Sequence, residues 1–142
     1  VPDTTVLEAL CSAAHRGVKV ALIFPKVNDS WIVAAASRSY YRKLLSAGCE
    51  IYEFKGGLLH AKTLTLDGKV TLIGSSNLDL RSFDLNYENN ILLQDEGVTC
   101  SVRGRQAEYI VHSDPITLDV VALWPRHRRI WNNVIATIGP VL

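Results

Sequence analysis

The chain has 142 residues, 48% of them hydrophobic, and a formal net charge of +1. That suits one domain with an ample core, and it gives no global electrostatic pull toward nucleic acid. Cys11, Cys49 and Cys100 are odd in number and widely spaced, which argues against a disulfide scaffold and against a CxxC-type zinc site; a reduced, cytoplasm-facing chain is the default.

In chain order, Pro2-Asp3-Thr4-Thr5 reads as a helix start, with Asp3 or Thr4 able to cap. Leu7, Leu10, Cys11 and Ala14 follow at helical spacing, and Gly17 ends the run. Residues 18–24 predict a short buried strand. Asn28-Asp29-Ser30 would cap a second helix, whose apolar stripe is Val33, Ala36, Tyr40, Leu44 and Leu45; Gly48 stops it. Residues 50–54 are the next strand, so strand, helix and strand predict a parallel pair with a helical crossover. After Gly56-Gly57 two extended runs, 58–66 and 69–73, flank Asp67-Gly68, a strong two-residue hairpin signal. A short helix or turn over 78–85, a strand over 87–93 and a helix over 98–112 come next. Ser113-Asp114-Pro115 is expected to cap a helix running to Trp124, and Pro125 to begin a last one. No apolar run approaches the roughly 18–20 residues a bilayer span needs. The whole reads as α/β, a mixed β-sheet flanked by helices.

The chemistry concentrates in HAKTLTLD (60–67) and GSSN (74–77). Side chains alternate along a strand, so His60 and Lys62 share a face with Leu58, Leu64 and Leu66. Neither face is simply polar, which predicts cover on both sides. An enclosed ammonium needs a counter-charge, and an anionic substrate group such as a phosphate would supply it. Ser75 and Asn77 repeat the i, i+2 spacing beyond the second strand and could donate to the same oxygens. Neutral imidazole is a competent nucleophile near pH 7. Each residue has an ordinary structural explanation when taken singly, and Asp67 is fully explained by the turn. Taken together they spell H-x-K-x4-D-x6-G-S-x-N across six positions.

That pattern resembles the signature of the phospholipase D superfamily and matches it without a gap. The surroundings are similar to the C-terminal half of bacterial cardiolipin synthases, above all in FKGGLLH (54–60) and NLDLRS (77–82). The resemblance implies one half of a two-motif enzyme. His60 would be either the nucleophile that forms a phosphohistidine or the acid that protonates the leaving alcohol. Lys62 and Asn77 would bind the phosphoryl group, with Ser75 positioning it and Asp67 completing the motif. Glu88 falls where superfamily members hold a carboxylate against the imidazole. Asp79 and Arg81 would contact a lipid head group or form a buried brace. No metal or cofactor is implied, because lysines supply the positive charge.

The implied reaction moves a phosphatidyl group between two phosphatidylglycerol molecules, giving cardiolipin and glycerol. The implied partners are those lipids, a membrane surface, and an N-terminal half-domain with the second motif or else a second copy. The chain opens on VPDTT and has no methionine, so it reads as a piece of a longer protein of the bacterial cytoplasmic membrane, itself soluble or peripheral. The same signature serves hydrolases and dimeric phosphodiester nucleases, which the near-neutral charge disfavours, and an inactive lipid-binding half-site is a third reading. In the tail, residues 125–142, Trp131, Val134, Ile135 and Ile138 fall on one helical face behind Arg126, Arg128 and Arg129. That pattern suits either docking on the core or an amphipathic helix on an anionic bilayer.

Overall fold

The structure is a computed structural model that describes residues 4–27, 31–75, 87–125, 131, 132 and 134, with 31–33 described by backbone alone. Helix α1 (Thr4–His15) leads to strand β1 (Ala21–Pro25). Helices α2 (Trp31–Ser39) and α3 (Tyr41–Ser46) then cross over to β2 (Glu50–Phe54). The expected single crossover helix is thus two, parted at Tyr40. Strands β1 and β2 are parallel, Ala21 opposite Glu50 through Pro25 opposite Phe54, as strand, helix, strand order predicts. Gly48 closes the crossover at φ +98, a conformation that L side chains rarely adopt.

The core forms where α1, α3 and a later helix cover one face of this sheet. Leu7 and Cys11, Tyr41 and Leu44, and Ile51 are buried together there. Each fully enclosed Leu or Ile contributes about 1.5–3 kcal/mol. Alternation along β2 also buries Glu53. A carboxylate there is stable only if paired. Arg38 Nε of α2 donates to Glu53 Oε1 at 3.0 Å, and the Tyr41 hydroxyl donates to the same oxygen at 3.2 Å. Burial pushes the Tyr41 phenol far above its ordinary value, so it remains a donor. The trio pins both crossover helices to β2.

A second sheet follows, fully antiparallel: β3 (Thr63–Leu66), β4 (Val70–Gly74) and β5 (Asn90–Gln94), in that order. The described sheets are therefore a mixed one and an antiparallel one, each of three strands. Asp67 and Gly68 turn the hairpin at φ 51 and φ 71, and the Lys69 N–H closes it onto the Leu66 carbonyl at 3.0 Å. Leu66 pairs with Val70, so three residues separate the paired positions, one more than the dipeptide signal implies.

Helix α4 (Glu96–Val111) packs on both sheets. Asp95 caps it, its carboxylate accepting from the Val98 N–H at 2.8 Å. Its grip on the second sheet is polar. The wholly buried Thr71 hydroxyl donates to the Thr99 hydroxyl at 2.8 Å, which donates to the Asp95 carbonyl at 2.7 Å. Gln106 accepts from Thr65 at 2.8 Å and donates to Thr63 at 3.1 Å. On the first sheet Phe54 and Tyr109 meet edge to face at 5.3 Å.

Two expectations need correction. Residues 113–124 are not one helix: β6 (Ser113–Ile116) pairs antiparallel with β2, and α5 (Leu118–Ala122) follows. Pro115 is tolerated because β6 is an edge strand, and Ile116 reaches the core. The cap is Thr117, which accepts from the Val120 N–H at 3.4 Å. Among the described residues nothing covers the leucines of the Leu64 and Leu66 face either: Leu64 is 41% and Leu66 50% exposed. The leucines that suggested enclosure look outward, because α4 occupies the threonine face instead.

Candidate active site

The hairpin decides which residues meet. His60 and Lys62 precede β3, and Ser75 follows β4. Antiparallel pairing brings these ends together, and the Gly74 N–H donates to the Lys62 carbonyl at 3.2 Å, one step beyond the ladder. The motif glycine is needed for the approach of the next strand. A Cβ on Gly74 would run into Asn90 Oδ1 and lie 2.5 Å from the Asn89 carbonyl oxygen.

Lys62 Nζ lies 2.7 Å from His60 Nε2 and 3.2 Å from the His60 carbonyl oxygen. An ammonium can only donate, so Nε2 is the acceptor and the ring proton sits on Nδ1. His60 is exposed and Lys62 half-buried. Across the hairpin end, the Ser75 N–H donates to the Asn89 carbonyl at 3.1 Å, and the Asn89 N–H donates to Ser75 Oγ at 3.0 Å. The Ser75 hydroxyl in turn donates to Glu88 Oε2 in a very short contact. Ser75, leaving β4, and Glu88, on the segment entering β5, thus form a pair. The imidazole orientation expected of Glu88 does not appear as a described contact; the contact found joins it to Ser75.

Asp67 stands at the opposite end of β3, about 16 Å along extended backbone from Lys62, in the turn. The structure does not bring it to the pair. Asn77, Asp79 and Arg81 lie outside the described residues, as do Arg126, Arg128, Arg129, Ile135 and Ile138 of the tail. Of the tail's apolar face, Trp131 and Val134 are 51% and 42% exposed, while the polar Asn132 is buried.

One charged cluster has no signal in the sequence. At the carboxyl ends of β1 and β2, Lys26 Nζ and Lys55 Nζ each lie 2.7 Å from a different oxygen of Asp114 on β6. Hydrogen bonds from Lys26 and then Lys55 hold the Asp114 carboxyl below its ordinary range, and the Asp114 bond raises Lys26. Lys55 is the last residue before Gly56-Gly57, so this clip anchors the loop that delivers His60. Among the described residues no three His, Cys, Asp or Glu side chains converge as a metal site would require. None of their helices is long and apolar enough to cross a membrane.

The site can therefore present an imidazole lone pair beside an ammonium, with a hydroxyl and a carboxylate at the neighbouring strand end. That is the equipment for covalent or acid–base chemistry on an anionic ester. Cardiolipin synthase A of Edwardsiella ictaluri (strain 93-146) is 43% identical over 129 residues, 89% of this chain and 26% of the relative. Cardiolipin synthase A of Salmonella arizonae is 39% identical over all 142 residues, 29% of the relative. The chain thus spans little more than a quarter of the length of these relatives. Among solved structures, the phospholipase D family member Nuc of Salmonella typhimurium superposes with a TM-score of 0.72 at 17% identity, covering 82% of this chain and 76% of that one. NucT of Helicobacter pylori gives 0.64 at 19%, covering 79% and 74%. At such identities these two speak for the fold alone. The family described as "Cardiolipin synthase, PLD-like domain" matches residues 1–107, and the chain belongs to that family.

Proposed function

We propose that the protein carrying this chain is a phosphatidyltransferase that joins two phosphatidylglycerol molecules into cardiolipin and releases glycerol. The observation that carries the reading is the Lys62–His60 contact at 2.7 Å, set in a chain 39–43% identical to proteins named cardiolipin synthase A.

In the first step a histidine nitrogen attacks the phosphorus of one phosphatidylglycerol, and the P–O bond to glycerol breaks. The glycerol oxygen takes a proton from an acid. In the second step the hydroxyl of another phosphatidylglycerol attacks the phosphohistidine, returns its proton to that group, and frees the imidazole. Splitting one displacement in two is the gain of covalent catalysis. The phosphodiester is exchanged rather than made anew, so no nucleotide is consumed. Lys62 neutralises charge on the phosphoryl oxygens, and Asn77 is the second ligand of that group. His60 serves as either nucleophile or acid.

The sequence holds one H-x-K motif, and the two-step scheme needs a second histidine. Its source is another half-domain of the protein or a second copy of this chain, and the site works at a membrane surface. Mass spectrometry of the protein incubated with phosphatidylglycerol tests the reading. Cardiolipin and glycerol in equal amounts are expected, and His60→Ala should reduce their formation by about a thousandfold or more. Phosphatidic acid as the sole product would reassign the enzyme as a hydrolase, and an unchanged rate in H60A would remove His60 from the site.

A further inference from the structure

The Lys62 ammonium folds back on His60 twice, onto the ring Nε2 at 2.7 Å and onto the main-chain carbonyl oxygen at 3.2 Å. The main chain beneath it is fixed from the neighbouring strand, where the Gly74 N–H donates to the Lys62 carbonyl. A neutral imidazole has one nitrogen that donates and one that accepts. Here Nδ1 carries the proton and the Nε2 lone pair is taken by the ammonium. His60 is therefore an exposed ring whose one basic nitrogen is already engaged.

That lone pair has a single direction, and the ammonium stands in it. A reacting atom must come to about 3–3.5 Å along the same line, so phosphorus or a transferable proton cannot reach Nε2 while Lys62 remains there. Charge decides what can move the lysine. Its bond to the ring joins a cation to a neutral acceptor, whereas a bond to a phosphodiester oxygen joins a cation to an anion and is roughly twice as strong. A neutral ester offers no such exchange. We propose that Lys62 is a cap on His60 that anionic phosphate esters lift: the ammonium closes Nε2 in the empty site and passes to the phosphoryl oxygens when a phosphodiester anion arrives. The inference rests on the phosphatidyl-transfer reading and adds to it how the site selects charged esters. Nε2 opens only beside the phosphate it acts on, whether it then meets phosphorus or the proton destined for the leaving alcohol. When the product leaves, the ammonium returns to the ring.

The test uses the protein carrying this chain, labelled with nitrogen-15 in histidine, and two esters that differ in charge. Dimethyl phosphate is a phosphodiester anion with no proton to donate and no good leaving group; trimethyl phosphate has the same core without the charge. Dimethyl phosphate is expected to move the Nε2 resonance of neutral His60 toward its position in Lys62→Met, where no ammonium is present, and trimethyl phosphate to leave it in place. A resonance indifferent to dimethyl phosphate, or equally responsive to both esters, would overturn the proposal. In parallel, carbethoxylation by diethyl pyrocarbonate, a neutral electrophile, is followed at each histidine by peptide mass spectrometry. In Lys62→Met, His60 should react about tenfold faster per neutral imidazole, with His15 and His112 unchanged, while turnover of phosphatidylglycerol falls. A lysine that only neutralised phosphoryl charge would lower turnover and leave carbethoxylation as it was, and that result would also overturn the proposal. The two readings fail separately. A response of Nε2 to dimethyl phosphate without cardiolipin formation would refute the transfer and keep the cap, whereas cardiolipin formation with Nε2 unresponsive would refute the cap alone.

Discussion

The ammonium of Lys62 donates to His60 Nε2 across 2.7 Å, and this fixes which imidazole nitrogen carries the lone pair. With Nε2 accepting, the proton resides on Nδ1, the less usual tautomer for a solvent-exposed ring. In this state the Nε2 lone pair is engaged by the ammonium, and it would become available to phosphorus only once the phosphoryl oxygens take over that ammonium. Nitrogen-15 NMR of the neutral imidazole should report Nε2 as unprotonated. In Lys62→Met that preference should be lost, and turnover should fall by about 10²- to 10³-fold, the cost of removing one charge-stabilising donor. A protonated Nε2 in the wild-type protein would contradict the arrangement.

Ser75 and Glu88 act on each other. The serine hydroxyl gives its proton to the carboxylate and its lone pair to the Asn89 N–H, so in this state it has no proton left for a phosphate. An effect on catalysis would then pass through the position of the β4 end, next to Gly74 and Lys62. A double-mutant cycle with Ser75→Ala and Glu88→Gln should show a coupling of about 0.5–3 kcal/mol in urea unfolding, with KM changing less than kcat. Additive effects would mean that the two side chains work independently.

The parallel β1–β2 unit, the hairpin and the meeting of the strand ends that carry Lys62 and Ser75 were legible because each is written locally. A crossover needs its strand, helix and strand in order, and a hairpin brings residues equally far from its turn together. Distance along the chain is what hid the rest. Lys26 and Asp114 are 88 positions apart, and nothing in either neighbourhood names the other. Arg38 and Glu53 each look like a solvated charge until the crossover folds them onto one face. Ser113-Asp114-Pro115 misled because a serine or aspartate before proline is also a helix start; only the open edge of β2, with room for Ile116 in the core, decides for a strand. The leucines at 64 and 66 misled for a different reason. Alternating Leu and Thr gives each face a plausible claim on the interior, and α4 took the threonine face, which also carries Ile73, Ile91 and Leu93 on the neighbouring strands, through the Thr71–Thr99 and Gln106 contacts.

The Asp114 clip makes stability depend on pH in a defined window. Its carboxyl lies below the ordinary 3.8, chiefly through the hydrogen bond from Lys26 and next that from Lys55. Folding therefore favours the ionised form. The carboxylate's contribution is complete above the ordinary value and disappears as pH falls through the lowered folded one. Lys26 is displaced the other way, raised above 10.5 chiefly by the same hydrogen bond; its contribution is complete below 10.5 and disappears as pH rises through the folded value. Both shifts describe one interaction, so it counts once. Asp114→Asn should lower the unfolding midpoint at pH 7. The gap from wild type should close as pH drops below the lowered carboxylate value and shrink in high salt, since the clip is solvent-accessible. Because Lys55 precedes the loop to His60, the same variant should also reduce turnover at pH 7, and Asp114→Glu should restore part of it. A gap that does not narrow as pH falls below the ordinary 3.8 and on through the acid limb would show that Asp114 matters for packing and not for its charge.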